Sequence, residues 1–243
     1  MKSKLTITVA SILSVLTLVG VGFAAWVISN PNVSADKTGN IEVDTVTDNS
    51  YDIKAEFLTT TDADNGSIIF GKKDDASITN PWLTNDAKAE RLTAKLTLTA
   101  QNFQADSWTE IEKKKLTVSM KTVKGTDPDN GFGTLVTSGY IKYPTLSGNG
   151  ITSGALTDWN GKILINLSDF TREKNATTAT YELTITFAWG SHFGGENPEN
   201  PYIFYNKKKY EKANVDDARV ALAAINENLS GVSYKVEITE NKA

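Results

Sequence analysis

Arg91-Leu92-Thr93-Ala94-Lys95-Leu96-Thr97-Leu98-Thr99-Ala100 decides the fold. Polar and apolar side chains alternate throughout, and successive side chains of an extended chain point to opposite faces, so one face of this strand is core and the other meets water. Tyr181, Leu183, Ile185, Phe187 and Trp189 repeat the period of two against Glu182, Thr184 and Thr186, as do Val232, Tyr234, Val236 and Ile238 near the end. Shorter strand candidates are Ile41 to Val46, Tyr51 to Leu58, Ser67 to Phe70, Leu116 to Val123, Thr134 to Tyr140 and Lys162 to Leu167. Asp62-Ala63-Asp64-Asn65-Gly66, Asp127-Pro128-Asp129-Asn130-Gly131 and Ser147-Gly148-Asn149-Gly150 lie between them. Their Asn-Gly pairs suit positive φ angles, which predicts hairpins and meanders rather than βαβ units.

One helix is expected near the end. Asn214 can cap it, Asp216 and Asp217 suit its N-terminal dipole, Ala218, Leu222, Ile225 and Leu229 recur at helical spacing, and Gly231 ends it. Sheets that are polar on one face bury the other against a second sheet. The expected fold is therefore mainly β, an antiparallel β-sandwich with one appended C-terminal helix, spanning residues 39–243 as one domain.

The other end of the chain reads as an address. After Met1-Lys2-Ser3-Lys4 the sequence runs from Leu5 to Ile28 without a charge, a basic n-region followed by an apolar h-region. Small residues at Gly22 and Ala24 place signal cleavage after Ala24 or Ala25, making 1–24 a signal peptide and 25–38 an N-terminal extension. The alternative is an uncleaved anchor: this run, as a helix, reaches roughly 36 Å, more than a bilayer core is thick. Either way the chain is expected to face outward, secreted or at the cell surface, and to touch a membrane only through this segment.

Composition narrows the function classes. There is no cysteine, so neither a disulfide framework nor a thiol nucleophile exists. Without Lys2 and Lys4 the chain carries 23 basic and 29 acidic residues, a formal charge of −6 with the signs interspersed, which argues against a nucleic-acid partner. The terminal Ile238-Thr239-Glu240-Asn241-Lys242-Ala243 has no second apolar span and no sorting motif with a basic tail, so no C-terminal anchor is expected.

Val9-Ala10-Ser11, then Leu16 to Ala25, and finally Thr38-Gly39-Asn40-Ile41-Glu42-Val43, together resemble the N-terminus of TasA and camelysin-like proteins, which are secreted by Gram-positive bacteria. The resemblance covers about the first 45 residues. It implies processing by a dedicated signal peptidase, a jelly-roll-like β-sandwich whose first strand starts at Thr38 to Val43, and, for some members, biofilm-matrix fibres in which the mature N-terminal strand of one subunit completes the sheet of the next. The chain departs from the family pattern where Trp26-Val27-Ile28-Ser29-Asn30-Pro31 replaces an early aromatic residue and Asp. Pro31 cannot donate a ladder hydrogen bond, so a donor strand stops at Asn30 or keeps Pro31 at its edge. Trp26, Val27 and Ile28 are the residues assigned to self-association: freed by cleavage, this apolar patch needs burial, and an unpaired sheet edge supplies it.

Enzyme motifs are missing, and the expectation is that the chain is not an enzyme. His192 is the one histidine, which excludes a His-Glu-x-x-His zinc helix, and no Gly-x-Ser-x-Gly elbow is present. No catalytic residue, metal ligand or cofactor is assigned. A hydrolase built on carboxylates that meet only in the fold leaves no linear trace and stands as the third reading. Asp62 to Gly66 and Asp127 to Gly131 cluster oxygen atoms as calcium loops do, but without EF-hand spacing, and read as Asx turns. The aromatic-rich stretch from Trp189 to Asn206, with Trp189, His192, Phe193 and Tyr202, is the candidate ligand loop, and Trp82, Trp108 and Trp159 are further candidates for stacking. Lys207-Lys208-Lys209 and Lys212 form a basic patch that a solvated turn or an anionic wall polymer explains. The leading expectation is a structural protein that associates with itself or with envelope and matrix components. The alternative is a monomeric adhesin or carbohydrate-binding module.

Overall fold

The computed structural model describes residues 26–28, 40–43, 51–58, 68–71, 73, 89–124, 127–128, 131–155, 162–209, 211–229 and 232–240. The signal segment with its cleavage sites Ala24 and Ala25, the Asp62 to Gly66 turn, Trp82 and Trp159 lie outside the described residues.

The protein is mainly β, with two mainly antiparallel sheets and a few helices. One sheet has the order β10 (Lys162–Asn166), β6 (Lys115–Lys124), β12 (Val232–Glu240), β2 (Asn40–Val43), with the short β7 (Asp127–Pro128) beside β6. The other runs β3 (Asp52–Phe57), β5 (Thr93–Gln101), β11 (Ala179–Trp189), β8 (Ile141–Gly148), β9 (Ile151–Ala155). A separate pair joins β1 (Trp26–Ile28) to β4 (Ile68–Phe70). One ladder is parallel, that of β2 on β12.

The decisive alternation becomes the centre of the second sheet. Ala94, Leu96, Leu98 and Ala100 of β5 are buried, and each lies opposite a buried residue of β11, in the pairs Ala94–Ile185, Leu96–Leu183, Leu98–Tyr181 and Ala100–Ala179. A fully buried Leu or Ile contributes about 1.5–3 kcal/mol, so this four-pair strip is a main source of stability, and cutting Leu96 to Ala costs about 2–5 kcal/mol. From the first sheet Leu116, Val118, Met120, Tyr234, Val236 and Ile238 join the same core. Tyr234 of β12 meets Phe187 of β11 at 5.9 Å and Phe57 of β3 edge-on at 6.1 Å, rings from one sheet packed against rings from the other, as in a sandwich.

The helices depart from expectation. Residues 134–140, a strand candidate, belong instead to α2 (Gly131–Thr137) and the turn after it, because Phe132 and Leu135, one helical turn apart, are buried while Thr134 and Thr137 face water. The Asp127 to Gly131 stretch is correspondingly not a simple hairpin: Asp127 and Pro128 pair with Lys124 and Val123, and Gly131 opens the helix. The C-terminal helix α4 (Lys212–Leu229) begins two residues before Asn214, whose amide donates back to the Lys209 carbonyl at 2.9 Å instead of capping from outside. Its expected inward face holds, with Ala218, Leu222, Ile225 and Leu229 buried. Two short helices were not expected, α1 (Trp108–Ile111) and α3 (Pro201–Asn206). The Ser147 to Gly150 hairpin forms as read, joining β8 to β9 with Gly150 at φ 72°.

Candidate functional site: the N-terminal strand and the aromatic corner

Trp26, Val27 and Ile28 are extended and pair antiparallel with Phe70, Ile69 and Ile68 of the same chain. On its other side β4 is held by Arg91, at the entrance to β5: Ile69 N–H donates to the Arg91 carbonyl at 2.7 Å and Arg91 N–H to the Ile69 carbonyl at 2.8 Å. Ile68 and Phe70 are fully buried, and Phe70 meets Trp189 edge-on at 5.0 Å and Phe187 at 6.1 Å. The seat for the N-terminal strand is thus anchored in the core, with α4 and β12 alongside. Three residues of β1 contact three of β4, and β1 joins neither large sheet.

The candidate ligand loop is a packed corner rather than an exposed platform. Trp189, Phe193 and Tyr202 are 4%, 0% and 0% exposed, so their ring faces are not open to a sugar or peptide. Phe193 is the hub: its ring meets Trp189 at 5.7 Å, Tyr140 at 5.9 Å, Phe204 at 6.0 Å and Tyr205 at 6.1 Å. The chain reaches this arrangement through a 3-10 turn at Ser191–Phe193 and positive φ angles at Gly194 and Gly195. Trp108 is also buried, tilted on Phe103 at 5.0 Å with the Arg172 guanidinium over its ring.

His192 is half-buried at the rim of this corner. Its Nε2 lies 3.2 Å from the Tyr205 hydroxyl and 3.3 Å from Asp217 Oδ1, while the Tyr205 hydroxyl donates to Asp217 Oδ2 at 3.0 Å. Its ring stands edge-on to Tyr140 at 4.8 Å. Burial, and then the Asp217 carboxylate, push the hydroxyls of Tyr140 and Tyr205 up, so both stay protonated and able to donate. The network ties the first turns of α4 to the loop after β11. Among the described residues no three His, Asp or Glu side chains gather where they could share a metal ion.

A second polar node lies beyond Trp189. Glu90 Oε2 accepts from Trp189 Nε1 and from Asn200 Nδ2, the latter at 2.8 Å. Asn200, 4% exposed, also donates to the Gly71 carbonyl at 2.8 Å, and its Oδ1 accepts from Tyr202 N–H at 2.9 Å, capping α3 with Pro201 in the first turn. Beside this node opens a cleft of about 460 Å³, with Lys73, Lys142 and Glu90 among its polar walls and Phe187 and Ile203 among its apolar ones. Sequence reading missed Glu90 outright, held Asn200 and Tyr205 only as members of the 189–206 loop, and gave Asp217 only a helix-dipole role. The one signal that could have found part of the site is Asn200-Pro201, a capping residue followed by proline at the first helical position.

The basic patch is engaged locally. Lys207 pairs with Glu199, Lys212 with Asp216, and the Lys208 ammonium sits 4.5 Å over the Phe204 ring. A scan against protein-family models, a search of curated proteins and a search of solved structures each return no match, so the functional reading of this chain rests on its own residues.

Proposed function

We propose that the chain is an exported structural protein of the cell exterior, a TasA-like, jelly-roll-like subunit that joins its neighbours through Trp26, Val27 and Ile28. The observation that carries this reading is the separateness of β1. It follows an uncharged run of export character, belongs to neither large sheet, and is seated by three residue pairs on a β4 strand whose inward side chains are core. Main-chain ladder bonds hold a strand by its geometry and not by which chain supplies it, so a seat that takes this strand in cis takes the same strand from a second copy. Signal cleavage frees the strand, and release and assembly become one event.

The test compares protein beginning at Ala25 with protein beginning at Asn40 by sedimentation and electron microscopy. Fibres or large oligomers formed by the first and not by the second support the reading; identical particles from both sink it.

A second reading, a monomeric adhesin or glycan-binding module, draws on the cleft beside Glu90 and Asn200. Because the neighbouring rings are buried, the contact falls to polar groups, and Lys142 is the residue to probe. Saturable binding to wall glycan that survives Lys142→Ala argues against this cleft.

A further inference from the structure

Strand β10 ends its sheet. It pairs with β6 on one side, and no described strand lies along the other. Its sequence is Lys162-Ile163-Leu164-Ile165-Asn166, in which Ile165 is buried, Ile163 packs partly against the core, and Leu164 points outward with 53% of its surface exposed. Leu164 lies opposite Thr117 of β6, which in turn lies opposite Thr239 of β12, so the outward row at this position carries no charge. Natural sheets guard an edge with charge, proline or a bulge. Here the ladder is regular, and the one charged residue is Lys162 at the start. At the other end Asn166 Nδ2 donates to Asp169 Oδ2 at 3.0 Å, fixing a carboxylate beside the strand.

We propose that β10 is a homodimer edge that pairs antiparallel with β10 of a second copy about a twofold axis through Leu164. That axis sets Leu164 against the partner's Leu164, Ile163 against the partner's Ile165, and Lys162 against the partner's Asn166. Both lysines are thereby kept apart, and each arrives where the partner's Asn166 holds the partner's Asp169, so the charges are complementary at both ends. A slip of one residue sets outward Leu164 against an inward isoleucine, and the two faces no longer match. In the matched register the sheet runs on through both copies as β2-β12-β6-β10 and its mirror in sequence. This contact is distinct from the seat of β1.

The test uses the chain from Ala25, which contains every described residue, with Ile28→Pro in every sample to remove a ladder donor of β1 and so block the assembly through β1 proposed above. It carries no cysteine, so Leu164→Cys introduces a sole thiol. The expected results are concentration-dependent dimer in sedimentation velocity, and oxidation of L164C to a covalent dimer under conditions where Val220→Cys, similarly exposed on α4, stays monomeric. In the same Ile28→Pro background Leu164→Lys is expected to sediment as monomer with an unchanged melt. The Ile28→Pro chain and its L164K variant sedimenting alike, or L164C crosslinking no faster than V220C, each overturn the proposal.

Discussion

Asn200→Ala removes the most connected polar side chain of the core. It deletes the acceptor that caps α3 at Tyr202 N–H, a loss of about 1 kcal/mol. It deletes a hydrogen bond to the Glu90 carboxylate, worth about 1.5–3 kcal/mol, and orphans the buried Gly71 carbonyl at about 1–3 kcal/mol. These terms share one side chain and do not add in full, which leaves an expected loss of about 3 kcal/mol. For a domain of this size each kcal/mol moves the midpoint by roughly 2–4 °C, so thermal melting followed by circular dichroism should drop by about 6–12 °C. Asn200→Asp separates the parts. It keeps the cap acceptor but turns the donor into a second carboxylate facing Glu90 and the Gly71 carbonyl, so it should melt below Asn200→Ala. The reasoning fails if Asn200→Ala stays within about 0.5 kcal/mol of wild type, the scatter of surface substitutions, or if Asn200→Asp matches wild type.

Gly190→Ala places a Cβ 2.1 Å from the Gly139 carbonyl oxygen and 2.8 Å from Ile141 N, both backbone, and should cost about 3 kcal/mol in urea unfolding. Gly195→Ala meets open space and only the strain of φ +69°, about 1–2 kcal/mol, so the reverse order would contradict the close approach at Gly190. Tyr181 donates to the Asn149 carbonyl at 2.7 Å, and burial followed by the Asp169 carboxylate push its hydroxyl up to about 12. The unfolded chain releases this proton first, near 10, so the stabilising contribution is complete below pH 10 and is lost as the pH rises towards 12. Tyr181→Phe should flatten that part of the alkaline unfolding curve, and an unchanged slope would show that another group controls it.

Strands β5, β11 and β12 were legible because each has one wet face, which leaves a period of two in the sequence. Strand β8 was not, since Pro144 and a bulge on β8 itself, where Lys142 to Thr145 faces only Thr186 to Ala188 of β11, break the pattern. Helix α2 was misread because Thr134, Val136 and Thr137 favour strands intrinsically, and packing of Phe132 and Leu135 into the core decides for helix. The aromatic corner shows the same limit. An aromatic residue in a Gly-rich stretch looks like a loop tip, yet Gly194 and Gly195 supply the turn that folds Phe193 back into the core. The Glu90–Asn200 and Asp217–His192 contacts join residues far apart in the chain and leave no local trace.

The last strand of the chain is an interior strand of its sheet, flanked by β6 and, in parallel, by β2. Until residues 232–240 are available, β2 has no ladder and β6 keeps an open edge. That sheet therefore closes only when residues 40–43 and 232–240 meet, a non-local step that is slow by topology. Under the proposal that the chain is exported, that delay keeps the polypeptide extended and translocatable until residues 232–240 have crossed.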